Sequence, residues 1–109
     1  MRDVETAAEM FKIFSDPTRL RLIRLLDRPC SAKKQPSECR KGTLCVNALA
    51  KRLGVTQSAV SQHLRILRQA GLVQSERHGS YIHYTLDRTR FAECKQALLD
   101  ALEGNASVS

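Results

Sequence analysis

The sequence is poor in aromatic and acidic residues and contains no tryptophan. Its aromatic rings are three Phe and two Tyr, 5% of 109 residues. Proteins that read single-stranded RNA usually display aromatic side chains on which bases stack, and the basic faces of this chain lack them. No apolar run approaches the roughly 20 residues that a membrane-spanning helix needs. The composition therefore argues against a single-stranded RNA reader and against a membrane partner.

Signals for export and for enzymatic chemistry are also missing. Nothing resembles a signal peptide, so we expect a cytoplasmic protein, whose four cysteines would be thiols or metal ligands rather than disulfides. The chain has no Cys-x-x-Cys pair, no Gly-rich phosphate loop and no Ser/His/Asp set. A nucleophilic Cys39 or Cys45 is the remaining enzymatic reading, and no motif supports it. We therefore expect that the protein is not an enzyme.

Basic residues outnumber acidic ones by 18 to 11, which gives a formal net charge of +7. The excess is concentrated between residues 51 and 90, where the basic side chains are accompanied by only two acids, Glu76 and Asp87. This distribution favours a polyanionic partner, most simply nucleic acid. Charge alone would suit sequence-independent binding to chromosomal DNA or RNA equally well.

Residues 46–70 have the pattern of two short helices joined by a turn at Gly54, with Thr56 as the cap of the second helix. At about 100° per residue, the second helix divides into an apolar arc that includes His63 and a polar arc without any acid. A solvated face would usually include Glu or Asp, whereas hydroxyl, amide and guanidinium groups suit base edges and phosphates. We therefore predict a DNA-reading helix-turn-helix, with His63 as a packing residue.

After Gly71 the pattern changes to the two-residue period of β-strands. Residues 72–76 and 81–86 are predicted strands, and residues 77–80 are the predicted hairpin turn. Side chains of a basic hairpin beside a recognition helix would lie near phosphates or the minor groove. We assign no chemistry to His83 in the second strand. The predicted DNA contacts from the helix and the hairpin are Gln57, Ser58, Ser61, Gln62, Arg65, Arg68, Arg77 and His78.

Three further helices are predicted, at residues 3–14, 17–27 and 87–103. Residues 29–42 contain two prolines and two cysteines and are predicted to be a surface loop. Residues 104–109 are predicted to be a frayed tail. The chain is therefore predicted to be one domain of residues 1–109, mainly α with a β-hairpin wing. The order α-α-α-α-β-β-α is that of a winged helix-turn-helix.

Two runs of the sequence resemble the ArsR/SmtB (arsenic-repressor) family of bacterial and archaeal metal and redox sensors. They are SDPTRLRLIRLL at residues 15–26 and LCVNALAKRLGVTQSAVSQHLRILRQAGLV at residues 44–73. The resemblance implies a homodimer built on the first and last helices. It also implies a repressor that binds an imperfect inverted repeat in double-stranded DNA and leaves it when an inducer binds. The apolar stripes of the first and last helices agree, because they lack an obvious partner within one small subunit.

The cysteines depart from the family pattern. Arsenic- and cadmium-sensing members carry Glu-Leu-Cys-Val-Cys where this chain has TLCVN, so Cys45 matches the first thiol and Asn47 replaces the second. Cys30 and Cys39 on the predicted loop would complete a three-sulfur site with Cys45. Thiolate triads suit arsenite or cadmium, and a fourth ligand would suit zinc.

Other readings of the cysteines stay open. A redox or persulfide response would use Cys45 together with Cys94, or the thiols could be incidental and the inducer a small organic ligand. Cys94 lies on the apolar face of the last predicted helix, where a packed interface cysteine is the simpler interpretation.

Overall fold

The computed structural model of the protein describes residues 4–27, 39–40, 43–79 and 81–104. These residues form five helices and four strands. In chain order they are α1 (Val4–Phe14), α2 (Pro17–Asp27), β1 (Cys39–Arg40), β2 (Thr43–Cys45), α3 (Val46–Leu53), α4 (Gln57–Gln69), β3 (Val73–His78), β4 (Tyr81–Leu86) and α5 (Arg88–Glu103). The helices and the β3–β4 hairpin, which we call the wing, follow the predicted order, so the winged helix-turn-helix fold is confirmed.

Short polar side chains fix where the central helices begin. The Asp16 carboxylate accepts hydrogen bonds from the backbone N–H groups of Thr18 and Arg19, at 2.8 and 3.2 Å, and caps α2. Thr56 caps α4 as predicted, because its hydroxyl accepts the N–H of Ala59 at 3.0 Å. Between α3 and α4, Gly54 has φ +69°, a conformation that a residue without Cβ adopts at no cost.

The hydrophobic core lies where α2, α3 and α4 meet the wing. Helix α2 contributes Leu22, Ile23 and Leu26 to it, in agreement with the predicted central position of this helix. Leu20, on the same helix, is 43% exposed and lies outside that core. The largest fully buried side chains of the described residues are Leu22, Leu26, Leu49, Val60, Leu64, Leu67, Leu72 and Cys94.

The sheet is larger than the sequence predicts. Its four strands are antiparallel neighbours in the order β1-β2-β4-β3. Cys39 and Arg40 form β1, so the prediction of a loop over residues 29–42 is wrong at these two positions. Residues 28–38 and 41–42 lie outside the described residues. The backbone of β2 pairs with β4, so the segment before α3 is joined to the wing.

The predicted hairpin turn at residues 77–80 is too long by two residues. Arg77 pairs with Ile82 and His78 pairs with Tyr81, so β3 continues through His78. Only residues 79 and 80 separate the two strands, and Gly79 has φ +65°.

Helices α1 and α5 pack against each other through Phe14 and Phe91, whose ring centroids are 6.4 Å apart. Asp87 caps α5, and Gly104 ends it with φ +71°, while residues 105–109 of the predicted tail lie outside the described residues. Both helices also carry large apolar side chains that are exposed in the single chain: Val4, Phe11, Leu99 and Leu102. Among the described residues, no helix has the length and apolar character required to cross a membrane.

Candidate nucleic-acid interface and thiol site

Helix α4 presents one polar face to solvent and buries the other. Val60, Leu64 and Leu67 pack into the core, and the helix contains no acidic residue. Its predicted DNA-contacting side chains are all exposed, and the helical period places them together on the outer side. They are Gln57, Ser58, Ser61, Gln62, Arg65 and Arg68. Their hydroxyl, amide and guanidinium groups are those that hydrogen-bond to base edges and phosphates.

The two arginines of this face are available for an anion. Arg65 and Arg68, with Gln69, line an open polar groove of about 330 Å³. Within the described residues neither guanidinium forms an ion pair. A planar guanidinium without a carboxylate partner is suited to bind phosphate oxygens in pairs.

The start of α4 is tied to α3 by one side-chain hydrogen bond. The Gln57 amide donates to the Asn47 carbonyl oxygen at 3.1 Å. One N–H of the Gln57 side-chain amide is therefore used within the protein, and the carbonyl oxygen of the same amide is not used in this hydrogen bond. Asn47 stands where the Glu-Leu-Cys-Val-Cys pattern has its second cysteine. Its hydrogen bond to Gln57 of α4 was not predicted from the sequence.

The wing contributes a second basic position. Arg77 is exposed on β3 and forms no ion pair with any described residue. Its strand partner, Ile82, is also exposed. His78, the other predicted contact, is the last residue of β3, and its side chain lies outside what the structure describes.

His63 connects the inner side of α4 to the start of α2. Its ring Nδ1 is 3.2 Å from the Arg19 guanidinium, and its Nε2 is 4.0 Å from the Asp16 carboxylate. Because a guanidinium only donates, this contact assigns the acceptor role to Nδ1 and the proton to Nε2. The ring is mostly covered, in agreement with the predicted packing role.

The electrostatics of this junction act on the Asp16 carboxyl. Desolvation raises the pKa of Asp16, but the hydrogen bonds from the N–H groups of Arg19 and Thr18 and the positive charge of Arg19 lower it, and the net shift is downward. The cap of α2 is therefore a carboxylate at neutral pH.

Cys45 lies at the junction between the sheet and the helix-turn-helix. It is the last residue of β2 and the N-cap residue of α3, and it is 6% exposed. It pairs directly with His83 of β4, which is 5% exposed and itself pairs with Glu76 of β3. Residues opposite each other in antiparallel strands are side-chain neighbours on one face. A thiol, an imidazole and a carboxylate therefore occupy one row across the sheet.

The other predicted thiols are placed differently. Cys39 pairs with Leu44, the neighbour of Cys45, and Cys30 lies outside the described residues. Cys94 is 1% exposed inside the core of its own chain. In the described segments no three His, Cys, Asp or Glu side chains are grouped to hold a metal ion. Cys45 is thus the one member of the predicted three-sulfur site whose side chain the structure describes.

Known proteins share both this sequence pattern and this fold. Residues 37–75 match the family described as "Bacterial regulatory protein, arsR family". The chain is 34% identical to the HTH-type transcriptional regulator MJ1325 of Methanocaldococcus jannaschii, over 85% of this chain and 91% of that protein. It is 35% identical to the arsenical resistance operon repressor of Escherichia coli, over 72% of this chain and 56% of the repressor's length.

Solved structures of related proteins have the same fold as this chain. A "possible transcriptional regulator for arsenical resistance" superimposes with a TM-score of 0.67 at 34% identity, covering 85% of this chain and 82% of that one. Reduced HlyU from Vibrio cholerae superimposes with a TM-score of 0.60 at 31% identity, covering 90% of each chain.

Proposed function

The chain belongs to the ArsR/SmtB family of winged helix-turn-helix transcriptional regulators, and from this premise we propose that it is a repressor that binds an imperfect inverted repeat in double-stranded DNA as a homodimer. Its inducer, in this proposal, is thiol-directed, a soft metal or metalloid ion such as arsenite or cadmium. The family consists of non-enzymatic DNA-binding regulators, so the expectation that the chain is not an enzyme is confirmed.

The observation that carries the repressor proposal is the exposed polar face of α4, which contains no acidic residue. A helix held by a turn at its N-terminus and by a buried apolar face can enter a major groove as a rigid body. Arg65 and Arg68 on that face and Arg77 on the wing, which form no ion pair with any residue that the structure describes, would bind the phosphates of the duplex. Gln62, between the two arginines and the helix start, is the best-placed base reader.

A protection experiment on DNA separates site-specific repression from bulk binding. The duplex upstream of the protein's own gene is probed for protection with random-sequence DNA in excess, at a fixed salt concentration. We expect one protected inverted repeat, bound about 10³-fold or more tightly than random DNA. Equal affinity for all duplexes would favour a sequence-independent binding role instead.

The dimer proposal is supported by the apolar side chains that α1 and α5 leave exposed. Leu102 is 71% exposed and Val4 is 74% exposed in the single chain. A stable interface usually covers about 800 Å² on each partner. Pairing α1 and α5 of one protomer with those of its partner would cover these side chains and leave α4 free.

The inducer proposal is supported by the position of Cys45. Its backbone belongs both to β2, which pairs with the wing, and to the first residue before α3. A new bond at its sulfur would therefore disturb both DNA-reading units. The thiol is buried, so reaction requires β2 to open. In the register observed, Cys39 pairs with Leu44, and a one-residue shift of β1 would pair the two cysteines directly.

A metal site at Cys45 would need ligands from other cysteines. Cys45 supplies one thiolate, and arsenite or cadmium would require Cys39 and Cys30 as further ligands. The redox or persulfide alternative would use Cys45 and Cys94, which are both buried in the same hydrophobic cluster.

A small organic inducer is the remaining candidate, and one observation favours it. An open groove of about 260 Å³ lies between α2 and α3, lined by Arg21, Arg24, Leu25 and Leu53. Neither arginine has an ion-pair partner among the described residues. Apolar walls beside two free guanidinium groups suit a small organic anion.

Release of fluorescent operator DNA distinguishes these inducers. Under reducing, anaerobic conditions arsenite or cadmium should release the wild-type protein, and Cys45→Ser should bind DNA normally but resist release. Cys94→Ser is the matched control and should respond as wild type. A response that needs oxidant or persulfide would favour the redox alternative. Normal release of Cys45→Ser by the physiological inducer would overturn the thiol proposal.

A further inference from the structure

Helix α4 is held at its C-terminal end by the first turn of α5. The Arg90 Nε donates to the carbonyl oxygen of Ala70, the residue that ends α4, at 3.1 Å. A cation at this position also meets the negative end of the helix dipole. The same side chain covers Gly71, where an added Cβ would lie 3.4 Å from the Arg90 Nε. Glu93, one turn later on α5, forms an ion pair with the Arg90 Nη1 at 3.6 Å.

A second arginine, Arg19 in the first turn of α2, links the last turn of α1 to the middle of α4. The Arg19 Nε donates to the carbonyl oxygen of Ile13 at 2.7 Å, and its Nη2 reaches the carbonyl of Lys12 at 3.4 Å. The other terminal nitrogen of the guanidinium, Nη1, lies 3.2 Å from the Nδ1 of His63 on the inner side of α4. The planar fork of an arginine fixes the relative direction of the groups it binds, which a lysine ammonium does not.

We propose that Arg19 and Arg90 are positioning residues that set the orientation of α4 relative to α1 and α5, and thereby the separation of the two recognition helices in the dimer. This inference rests on the proposed function, in which α1 and α5 form the interface and α4 reads DNA. The two contacts join α4 to the ends of both interface helices. Helix-turn-helix dimers read half-sites at a fixed separation, so a small rotation of α4 changes the operator length that fits.

Arg88 provides a matched control on the same helix. It is two residues from Arg90 and carries the same charge, but it binds α2 rather than α4. Its guanidinium donates to the Asp27 carboxylate at 2.5 Å and to the Asp27 carbonyl at 2.7 Å. Arg88→Ala therefore removes one charge and one link of α5, and leaves the link to α4 in place.

The experiment measures how strongly the affinity of the protein for operator DNA depends on the separation of the two half-sites. Operator duplexes of the protected sequence are made with the natural separation and with one or two base pairs inserted or removed at the centre. Dissociation constants are measured by fluorescence anisotropy for wild type, Arg90→Ala, Arg90→Lys, Arg19→Lys and Arg88→Ala. Circular dichroism and sedimentation verify that each variant is folded and dimeric at the assay temperature.

We expect wild type and Arg88→Ala to prefer the natural separation by the same factor. Loss of one charge-assisted hydrogen bond should weaken Arg90→Ala on the natural operator on the order of tenfold. Its affinity for the altered operators should change much less, so the preference for one separation shrinks. Arg90→Lys and Arg19→Lys keep the charge and should show a smaller loss of the same kind.

The outcomes separate the inference from the function on which it rests. If Arg90→Ala and Arg90→Lys keep the wild-type preference, or weaken all duplexes by one common factor, the positioning role is wrong and the function stands. A variant Arg90→Ala that fails to fold leaves the decision to the two lysine variants. A wild-type protein that binds all duplexes equally overturns both.

Discussion

The salt dependence of DNA binding should reveal which arginines contact phosphates, and Arg68→Gln is the sharpest test. Arg68 is exposed on α4, has no ion pair among the described residues, and lies beside Arg65 in the open polar groove. With Arg77 on the wing, each protomer has three such guanidinium groups on the proposed DNA-binding surface, so a dimer would make about six phosphate contacts. Each contact adds about −0.9 to the slope of log K against log salt concentration.

The wild-type slope should therefore be about −5, which corresponds to a loss of roughly 10³-fold in affinity between 50 and 200 mM salt. Arg68→Gln removes one contact from each protomer and should reduce the slope by about 2 units, so that the loss over the same range falls to roughly 10²-fold. Titrations of operator DNA by fluorescence anisotropy at four or more salt concentrations give the slope directly.

Lys95→Gln is the control for simple loss of charge. Lys95 is exposed on α5, where its ammonium lies 4.6 Å from the centre of the Phe91 ring, away from the polar face of α4. This variant should keep the wild-type slope. If Arg68→Gln also keeps it, or if both variants lower it equally, the outer face of α4 does not contact the phosphates and the interface is misassigned.

Three other predictions concern the dimer and the stability of the fold. Leu102→Glu, at a side chain that is 71% exposed in the single chain, should give folded monomers in sedimentation, and a stable dimer would move the interface away from α5. The caps Asp16 and Asp87 have pKa values below their ordinary value of 3.8; for Asp87 the N–H of Arg90 is the main cause. Their contribution to stability is therefore present above about pH 4 and is lost as the pH falls through the lower folded pKa. Urea unfolding at pH 7 and near pH 3 should show this loss, and Asp16→Asn and Asp87→Asn should reduce it; an unchanged pH dependence would contradict the caps' role. Gly71→Ala should cost about 1–2 kcal/mol of unfolding free energy, because Gly71 has φ +80°, and an unchanged urea midpoint would refute that strain.

The recognition helix could be predicted from the sequence because its signals are local. The cap at Thr56 and the polar face around Gln62 lie within one stretch, where a 3.6-residue period is visible without knowledge of the rest of the fold. The strands β1 and β2 could not be predicted, since two or three residues carry no period. They exist through pairing with β4, as in the pair of Leu44 with Tyr84.

The contacts of Arg19 and Arg90 with α4 could not be predicted from the sequence either, because each joins residues that are far apart in the chain. Arg19 and His63 are 44 residues apart, and Arg90 and Ala70 are 20 apart. No spacing rule relates such residues before the helices are packed. The row of Cys45, His83 and Glu76 likewise needs the strand register, which only the assembled sheet supplies.

The hydrogen bond between Asn47 and Gln57 has a consequence for ion sensing at Cys45. A thiol at position 47 would match the two-cysteine pattern that the resemblance associates with arsenic and cadmium sensing, but it would release the amide that ties α3 to the recognition helix. An exposed neutral hydrogen bond contributes only about 0.5–1.5 kcal/mol, so either state is accessible by a small step. A thiol ligand and a hydrogen bond to Gln57 are therefore alternatives at position 47, and Asn47→Cys would test whether a second thiol near Cys45 strengthens the response to arsenite or cadmium at the cost of this hydrogen bond.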